Sequence, residues 1–576
     1  MKKTRWIALV VLLRIFLGQA YAGADSIQTN VPALKDVFAH DFKIGCMLSY
    51  RHVGFSSDPV VPGQSEIVDP LGGQLVKFHM NSMTPGNNMK AQFTVNIDSS
   101  AIAYRAAATQ AKRDSTDVHP VVRFNGDIIA QLNWARRQGF TFRGHTLVWH
   151  EQTPAEFFRS GYTLAGARLS KAAMIQRMDN YIHDVIRLIH EGWPGLLSAM
   201  DVVNEALTAN AGTDRTNSEW YATFGDNTYV MKAFELARKY TVQYGESQMK
   251  LYYNEYNTDF VDKADGVVRL CTPIFQAGYL DGIGIQGNGN VSSPTAQAWI
   301  TTYNKFYPIC AEMSITEYHA DVDTASPTAS DFVAQANQYA MLFKCYLDRS
   351  SLSGRGKIVS VSKGGFSDKY DAFPKVQSAL WDSTDRCKPT FFAIVNVGIN
   401  YHALDSLISY ANALHGGDYT TISWRSFYTA FVSAKEAMAA DYSASLSAAT
   451  ALGVASDNLK TAIRSLVPTV VKAFALTQNY PNPFSARGGS AFSGNPTTVI
   501  NYQLPVTSTI SLKLYDLLGQ EKTTLCEGIY QAGNYNVTLD ARGLASGAYF
   551  YRLLANEIGG GQAQGYVETK KLMVLK

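Results

Sequence analysis

The sequence predicts a (β/α)8 barrel, followed by a small three-helix module and a C-terminal β-sandwich. Three observations predict it. Eight short apolar runs alternate with stretches of helical periodicity as far as about residue 398. Two of those runs close on a glutamate. Beyond residue 400 the composition turns first to Ala, Ser, Leu and Tyr at helical spacing, then to short alternating strands parted by turn residues. At 576 residues the chain exceeds one compact domain and suggests three or more units.

Taken in order, the chain opens with Lys2, Lys3 and Arg5, an apolar stretch from Trp6 to Leu17, and Ala20-Tyr21-Ala22 in a small-x-small pattern. Residues 1–22 are expected to be a secretory signal peptide cut after Ala22. The stretch is short and carries Arg14, which disfavours a membrane anchor. No later segment is expected to span a bilayer.

The eight strand signals are FKIGCML, LVKFHMNSM, FTFRGHTLVW, AMDVVN, KLYYNE, GIGIQG, MSITE and KIVSVS. Between them, Asp127 to Arg137, Lys171 to His190, Tyr229 to Tyr244 and Asp331 to Leu347 carry apolar residues three and four apart and are expected to be helices. An open doubly wound sheet would show the same alternation. Polar and charged residues gathered at the strand ends favour the barrel, spanning residues 30–400.

A net charge of +3, from 51 basic and 48 acidic residues, leaves no basic stripe, so neither nucleic acid nor an anionic membrane is indicated as a partner. Six cysteines, Cys46, Cys271, Cys310, Cys345, Cys387 and Cys526, are scattered without a CxxC pair or metal-ligand spacing, so no metal site is expected. Export permits disulfides such as Cys310–Cys345 or Cys271–Cys310, and buried thiols are equally compatible with the spacing.

The two glutamates carry the chemistry. MDVVNEAL delivers Glu205 and MSITEYHA delivers Glu317 to strand ends, and two carboxylates on one barrel rim suit hydrolysis of a glycosidic bond. In their order, FRGHTLVWHEQTP, DVVNEA, LYYNEYN, DGIGIQG, ITE and KPTFFAIV resemble the family 10 glycoside hydrolases, the endo-β-1,4-xylanase-like enzymes, over residues 35 to 398. The resemblance implies a retaining mechanism with Glu205 as general acid/base and Glu317 as nucleophile. It also implies that Asn204 bonds the 2-hydroxyl of the sugar under attack. By the same resemblance His145, Trp149 and Gln152 line the sugar beside the cleaved bond, Asn87 and Lys90 contact an outer donor sugar, and Tyr256 and Gln286 border the two carboxylates.

Several positions depart from the family pattern. Gly86 and Asn88 stand where it has glutamates. Asn288 replaces its histidine and His319 its acid, which suggests a swapped pair supporting the nucleophile and lowering the Glu317 pKa. Lys363, Gly364, Ala372 and Phe373 occupy the region where the family has tryptophans over the sugar. The segment from Phe93 to Phe124 is longer than the usual connection.

Residues 403–470, with SFYTAFVSAKEAMAADY and SDNLKTAIRSLV, resemble FIVAR-type helical modules, whose role would be spacer or glycan contact. Residues 473–576 begin with NYPNPF after Gln478 and continue through YDLLGQE and ASGAYFYRL to a lysine-bearing end. They resemble the sorting domains of the type IX secretion system, which implies that machinery as a partner and release or attachment at the cell surface. The expectation is thus a monomeric, secreted or surface-held hydrolase of xylan or a related β-glycan, needing no cofactor. The alternatives are the same chemistry on a different or decorated β-glycan, or a non-catalytic glycan-binding protein.

Overall fold

The computed structural model describes residues 26–48, 70–322, 324, 326–351, 354–365, 367–368, 377–442, 447–469, 471–485, 497–558 and 565–575. The expected signal peptide, Ala372 and Phe373 lie outside them.

Eight parallel strands close into a barrel in sequence order. They are β1 (Lys43–Leu48), β2 (Ser82–Pro85), β3 (Thr141–Trp149), β4 (Leu197–Asn204), β5 (Lys250–Glu255), β6 (Gly282–Ile285), β7 (Glu312–Tyr318) and β8 (Lys357–Lys363). β8 pairs back onto β1 through Lys43↔Ser360 to Cys46↔Lys363, which removes both sheet edges. An open doubly wound sheet is thereby excluded.

The outer layer contains α1 (Pro70–His79), α2 (Ile97–Ala106), α3 (Gln110–Val118), α4 (Gly126–Gln138), α5 (Lys171–Gly192), α6 (Glu219–Phe224), α7 (Thr228–Gln243), α8 (Val261–Gln276), α9 (Ala296–Phe306), α10 (Ala329–Ser350) and α11 (Pro389–Asn412). The helices begin where the local chemistry starts them. Asn125 accepts the Ile128 N–H at the head of α4, Ser170 that of Ala173 at α5, and Thr328 with Asp331 makes a capping box at α10.

One expected strand is corrected. In LVKFHMNSM the first five residues complete α1, and only Ser82 and Met83 belong to β2. Leu75, Val76, His79 and Met80 are all buried, at helical spacing, and a short apolar run cannot distinguish a buried helix turn from a strand. The long connection from Phe93 to Phe124 holds α2 and α3. It is pinned by Arg177 of α5, which is fully buried and donates to Asp117 Oδ1 at 2.8 Å.

The barrel interior is polar. Arg143 on β3 lies 4.2 Å from the Tyr252 ring on β5, and Tyr252 donates to Glu312 at 2.6 Å. Glycines on β6 make this possible. A Cβ at Gly282 would stand 2.4 Å from the Tyr252 ring, and one at Gly284 would stand 2.2 Å from Asn254 Oδ1.

The expectation that no later segment is apolar enough to cross a bilayer is also corrected. α11 is 24 residues long with a most apolar stretch of mean hydropathy 1.2. Phe391, Ile394, Val397 and Leu404 along it are fully buried, and Phe391 packs on Trp381 and His79, so one face of the helix covers the barrel. All six cysteines are free thiols, four of them buried.

Packing divides the chain into two compact units, one running to Leu404 and including Met438–Val454, the other comprising Asp405–Ala437 and Ala455–Lys576. In chain order, helices α12 (Thr421–Ala439) and α13 (Ala448–Arg464) follow the barrel and precede the C-terminal strands. The second unit contains a five-stranded sheet in the order β10-β16-β15-β12-β13 and a three-stranded sheet in the order β14-β11-β9. These strands are β9 (Ala475–Leu476), β10 (Phe484–Ser485), β11 (Thr497–Leu504), β12 (Ser508–Tyr515), β13 (Glu521–Tyr530), β14 (Gly533–Asp540), β15 (Gly547–Glu557) and β16 (Tyr566–Leu575). Alternate residues such as Ile500, Tyr502, Leu512, Leu514, Tyr551 and Leu553 form a shared core.

The NYPNPF segment is built into that unit. Buried Asn479 donates to Thr498 Oγ1 at 2.9 Å and its N–H reaches Tyr551 Oη at 2.8 Å, while Asn482 accepts the Met573 N–H at 2.9 Å.

Candidate active site

The strand register sets the site. Trp149 lies opposite Asn204 on the neighbouring strand, Asn204 opposite Asn254, and Tyr318 opposite Lys363, so the C-terminal ends of β3, β4, β5, β7 and β8 share one rim. That is the rim on which barrels of this kind carry their chemistry.

Glu205 follows the last residue of β4 with φ +55°, and Gln152 and Asn257 are also left-handed, at +46° and +55°. Such a backbone costs a non-glycine residue on the order of 1–3 kcal/mol and persists only where its surroundings over-determine it. Here they do. The Glu205 N–H donates to Asn254 O at 3.0 Å and its carbonyl accepts Arg215 Nε at 3.0 Å. Its carboxylate accepts Trp149 Nε1 at 2.9 Å on Oε2 and Gln286 Nε2 at 2.7 Å on Oε1. His150, set edge-on to Trp149, brings Nδ1 to 3.9 Å from Oε2.

Glu317, near the end of β7, gives its N–H to Gln286 O at 3.0 Å, and Oε1 faces Asn254 Nδ2 at 3.4 Å. The Asn254 amide also reaches Asn204 Oδ1 at 2.9 Å, and its oxygen accepts the Thr316 hydroxyl at 2.8 Å. Burial raises the Glu317 pKa above its ordinary value. His145 pulls it down, Glu205 pushes it up, and Lys90 pulls it down. The lowering expected from Asn288 and His319 is thus corrected: desolvation of the carboxylate outweighs its cationic neighbours.

Lys90 sits 4.3 Å over the Trp149 ring and donates to Asn87 Oδ1 and Gln152 Oε1, both at 2.8 Å. Burial lowers its pKa against the opposing pull of Glu317, Glu205 and Glu151. These three sugar-site candidates therefore form one cluster beside Trp149. His145 is buried and its Nδ1 lies 2.9 Å from Asp201 Oδ2. The same oxygen accepts Arg143 Nε at 3.1 Å, and Arg143 Nη2 bonds Asp201 Oδ1. Burial would raise the Asp201 pKa, but Arg143 and His145 hold it below the usual range.

Asn288 and His319 do not pair beside the Glu317 carboxylate, while Tyr256 borders Glu205 as expected. Asn288 donates to Gln286 Oε1 at 3.2 Å and so steadies the side chain that holds Glu205. His319 directs Nδ1 to the Glu317 main-chain oxygen at 3.3 Å, on the backbone behind the carboxylate. Tyr256 accepts Arg215 Nη2 at 3.0 Å and flanks the Glu205 turn. Of the expected open roof, Lys363 is buried and reaches Ser378 Oγ at 3.4 Å. Gly364 lies against the Glu317 carbonyl, 2.9 Å from where its Cβ would be.

Sequence reasoning passed over Arg143, Asp201, Asn254 and Arg215. Asp201 and Arg143 lie inside the quoted motifs at two-residue steps from Val203 and His145. Strand alternation could have placed them inward beside the site. No group of three His, Cys, Asp or Glu side chains among the described residues is arranged to hold a metal ion.

The model of glycosyl hydrolase family 10 matches residues 33–397. Endo-1,4-beta-xylanase Y of Acetivibrio thermocellus is 29% identical over 394 residues, covering 65% of this chain and 33% of that protein. A putative endo-1,4-beta-xylanase of Caldicellulosiruptor saccharolyticus is 30% identical over 310 residues, covering 52% of this chain and 97% of that protein. The chain thus spans about a third of the first relative and nearly all of the second. Among solved structures, the CBM22-1–GH10 modules of a Clostridium thermocellum endo-1,4-beta-D-xylanase complexed with xylohexaose align with TM-score 0.54 and 27% identity, over 66% of this chain and 68% of that one. An intracellular xylanase from Thermoanaerobacterium saccharolyticum shares the fold, with TM-score 0.51 at 24% identity over 64% of this chain and 99% of its own. With a barrel closed in the required order and the family's match running through both rim glutamates, the chain belongs to glycosyl hydrolase family 10.

Proposed function

We propose that this protein is a secreted endo-acting β-1,4-xylanase that works with retention of anomeric configuration. The observation that carries the reading is the pairing of Glu205 and Glu317 on one rim, with Gln286 bonded to both. Glu317 attacks the anomeric carbon and forms a glycosyl-enzyme while Glu205 gives its proton to the departing sugar oxygen. Water then attacks the same carbon, Glu205 takes its proton, and both groups return to their starting states. Asn204, held by Asn254, is placed to bond the 2-hydroxyl, a contact that strengthens as positive charge grows on the ring. Lys90, Asn87, Gln152 and Trp149 receive the donor-side sugar.

The relatives' activity supports xylan as substrate. Export rests on residues 1–22 and on the resemblance of residues 473–576 to type IX sorting domains, and the helical segment 403–470 serves as a FIVAR-like spacer. Reducing-end release from xylan and a panel of other β-glycans tests the reading, with Glu317→Ala and Glu205→Gln beside the wild type. Release from xylan that collapses in Glu317→Ala, with the β-anomer formed first by proton NMR, is the expected result. Release only from another glycan would overturn the substrate, an α-anomer the mechanism, and binding without release the enzymatic reading.

A further inference from the structure

We infer that Glu255 and Lys263 form a buried clamp that positions Glu205 for proton transfer, an inference that rests on the reading of Glu205 as the acid/base. Both side chains are fully buried, with Lys263 Nζ 3.0 Å from Glu255 Oε1. From there the pair reaches the chain after β4 by two routes. Lys263 Nζ donates to the main-chain oxygens of Thr208 at 2.8 Å and Leu207 at 3.4 Å. On the other side, Glu255 Oε2 accepts the Tyr253 hydroxyl at 2.6 Å, and the Tyr253 oxygen accepts the Ala206 N–H at 3.1 Å. The three residues that follow Glu205 are therefore all tied to one ion pair.

This tie answers a local need. Glu205 holds φ +55°, a backbone that a glutamate does not keep by itself. Relaxed to an extended conformation, the turn would swing the carboxyl away from Trp149 and Gln286. A buried ion pair is a poor source of net stability, because desolvation of both charges offsets their attraction, whereas fixing one arrangement among several is its best-attested use. Lys263 and Cys271 of α8, Tyr253 of β5, Tyr229 of α7 and Glu205 face Glu255, whose Oε1 also accepts the Tyr256 N–H at 3.1 Å, and Arg215, His150 and the Tyr256 ring, 4.2 Å from Nζ, face Lys263. Burial pushes Glu255 up to about 7 despite the pull of Lys263, so the clamp weakens by protonation close to neutral pH.

The test uses the full chain with Tyr253→Phe, which removes one oxygen from the link to Ala206, and the charge-neutral double variant Glu255→Gln/Lys263→Met. Each is assayed on xylo-oligosaccharides, whose leaving group needs a proton, and on a 2,4-dinitrophenyl β-xylobioside, whose leaving group needs none. Loss of proton transfer should lower kcat/KM on the oligosaccharide by about 10-fold or more, with glycosyl-enzyme formation from the aryl glycoside within about 3-fold of wild type. Equal losses on both substrates, or no loss on either, would overturn the clamp. If the double variant does not fold, Tyr253→Phe decides alone. Should the wild type hydrolyse neither substrate, the functional reading fails. The clamp is then judged from a crystal structure of Tyr253→Phe, where Glu205 is expected to leave the left-handed region and lose Gln286; an unaltered turn overturns it.

Discussion

Gln286 and Glu205 meet at 2.7 Å, Nε2 to Oε1, and the main-chain oxygen of the same Gln286 accepts the Glu317 N–H at 3.0 Å. One residue just after β6 thus fixes the plane of one carboxyl and the backbone of the other. Gln286→Ala keeps the backbone bond and removes the side-chain one. Its kcat on xylan is expected to fall by roughly 10²-fold with a smaller change in KM, because the lost donor steadies the proposed acid/base, which acts in the transition state. Steady-state kinetics check this.

Glu317 gives a pH prediction whose sign follows from burial. Its folded pKa lies above its unfolded value, so the folded protein binds the proton more tightly. Stability from this group is present at low pH and is lost as pH rises through the folded pKa. Glu317→Gln, which cannot ionise, should therefore melt higher than wild type at neutral pH, with the gap closing in acid. Calorimetry across pH checks it. The acid limb of kcat/KM should also lie above the ordinary glutamate range, since the nucleophile proposed for this site acts only when ionised.

Asp201 behaves in the opposite sense. Arg143 and His145 hold its folded pKa down, so its contribution is present above the unfolded value and is lost as pH falls through the folded one. Asp201→Ala leaves Arg143, itself buried, without its counter-charge, at an expected cost of roughly 3–5 kcal/mol. Urea unfolding measures this. Activity should fall too, because His145 loses the partner that orients it.

Asn479 offers a prediction confined to the strand-rich unit. Its buried amide bonds Thr498 and its N–H bonds Tyr551. Asn479→Ala removes the bonds its amide gives to Thr498 Oγ1 and Pro481 O, the Thr498 hydroxyl keeping its own bond to Pro481 O at 2.8 Å, and should destabilise that unit by about 1–3 kcal/mol. The expected signature is a lower melting transition for the second unit with xylan hydrolysis unchanged, read by calorimetry and activity on one sample.

The strand-and-helix order, the closure expected of eight strand signals, and the two glutamates at the ends of β4 and β7 were legible in the sequence alone. These are local properties: apolar runs, capping residues and motif strings are written in consecutive positions, so Glu205 and Glu317 could be named before any contact was known. The one misread strand, LVKFHMNSM, fell where a buried helix end and a buried strand carry the same apolar signal. Tertiary structure decided which side chains face those glutamates. Asn254 rather than Asn288 reaches Glu317, Asn288 steadies Gln286, and Arg143 with Asp201 orients His145. It also decided that burial raises Glu317, reversing the direction expected from its neighbours in sequence. The physical reason is one of range. Partners such as His145 and Asp201, or Gln286 and Glu205, lie 56 and 81 residues apart and meet only because parallel strands set their register around a closed barrel. Desolvation is likewise a property of everything packed around a group, not of the residues beside it in the chain.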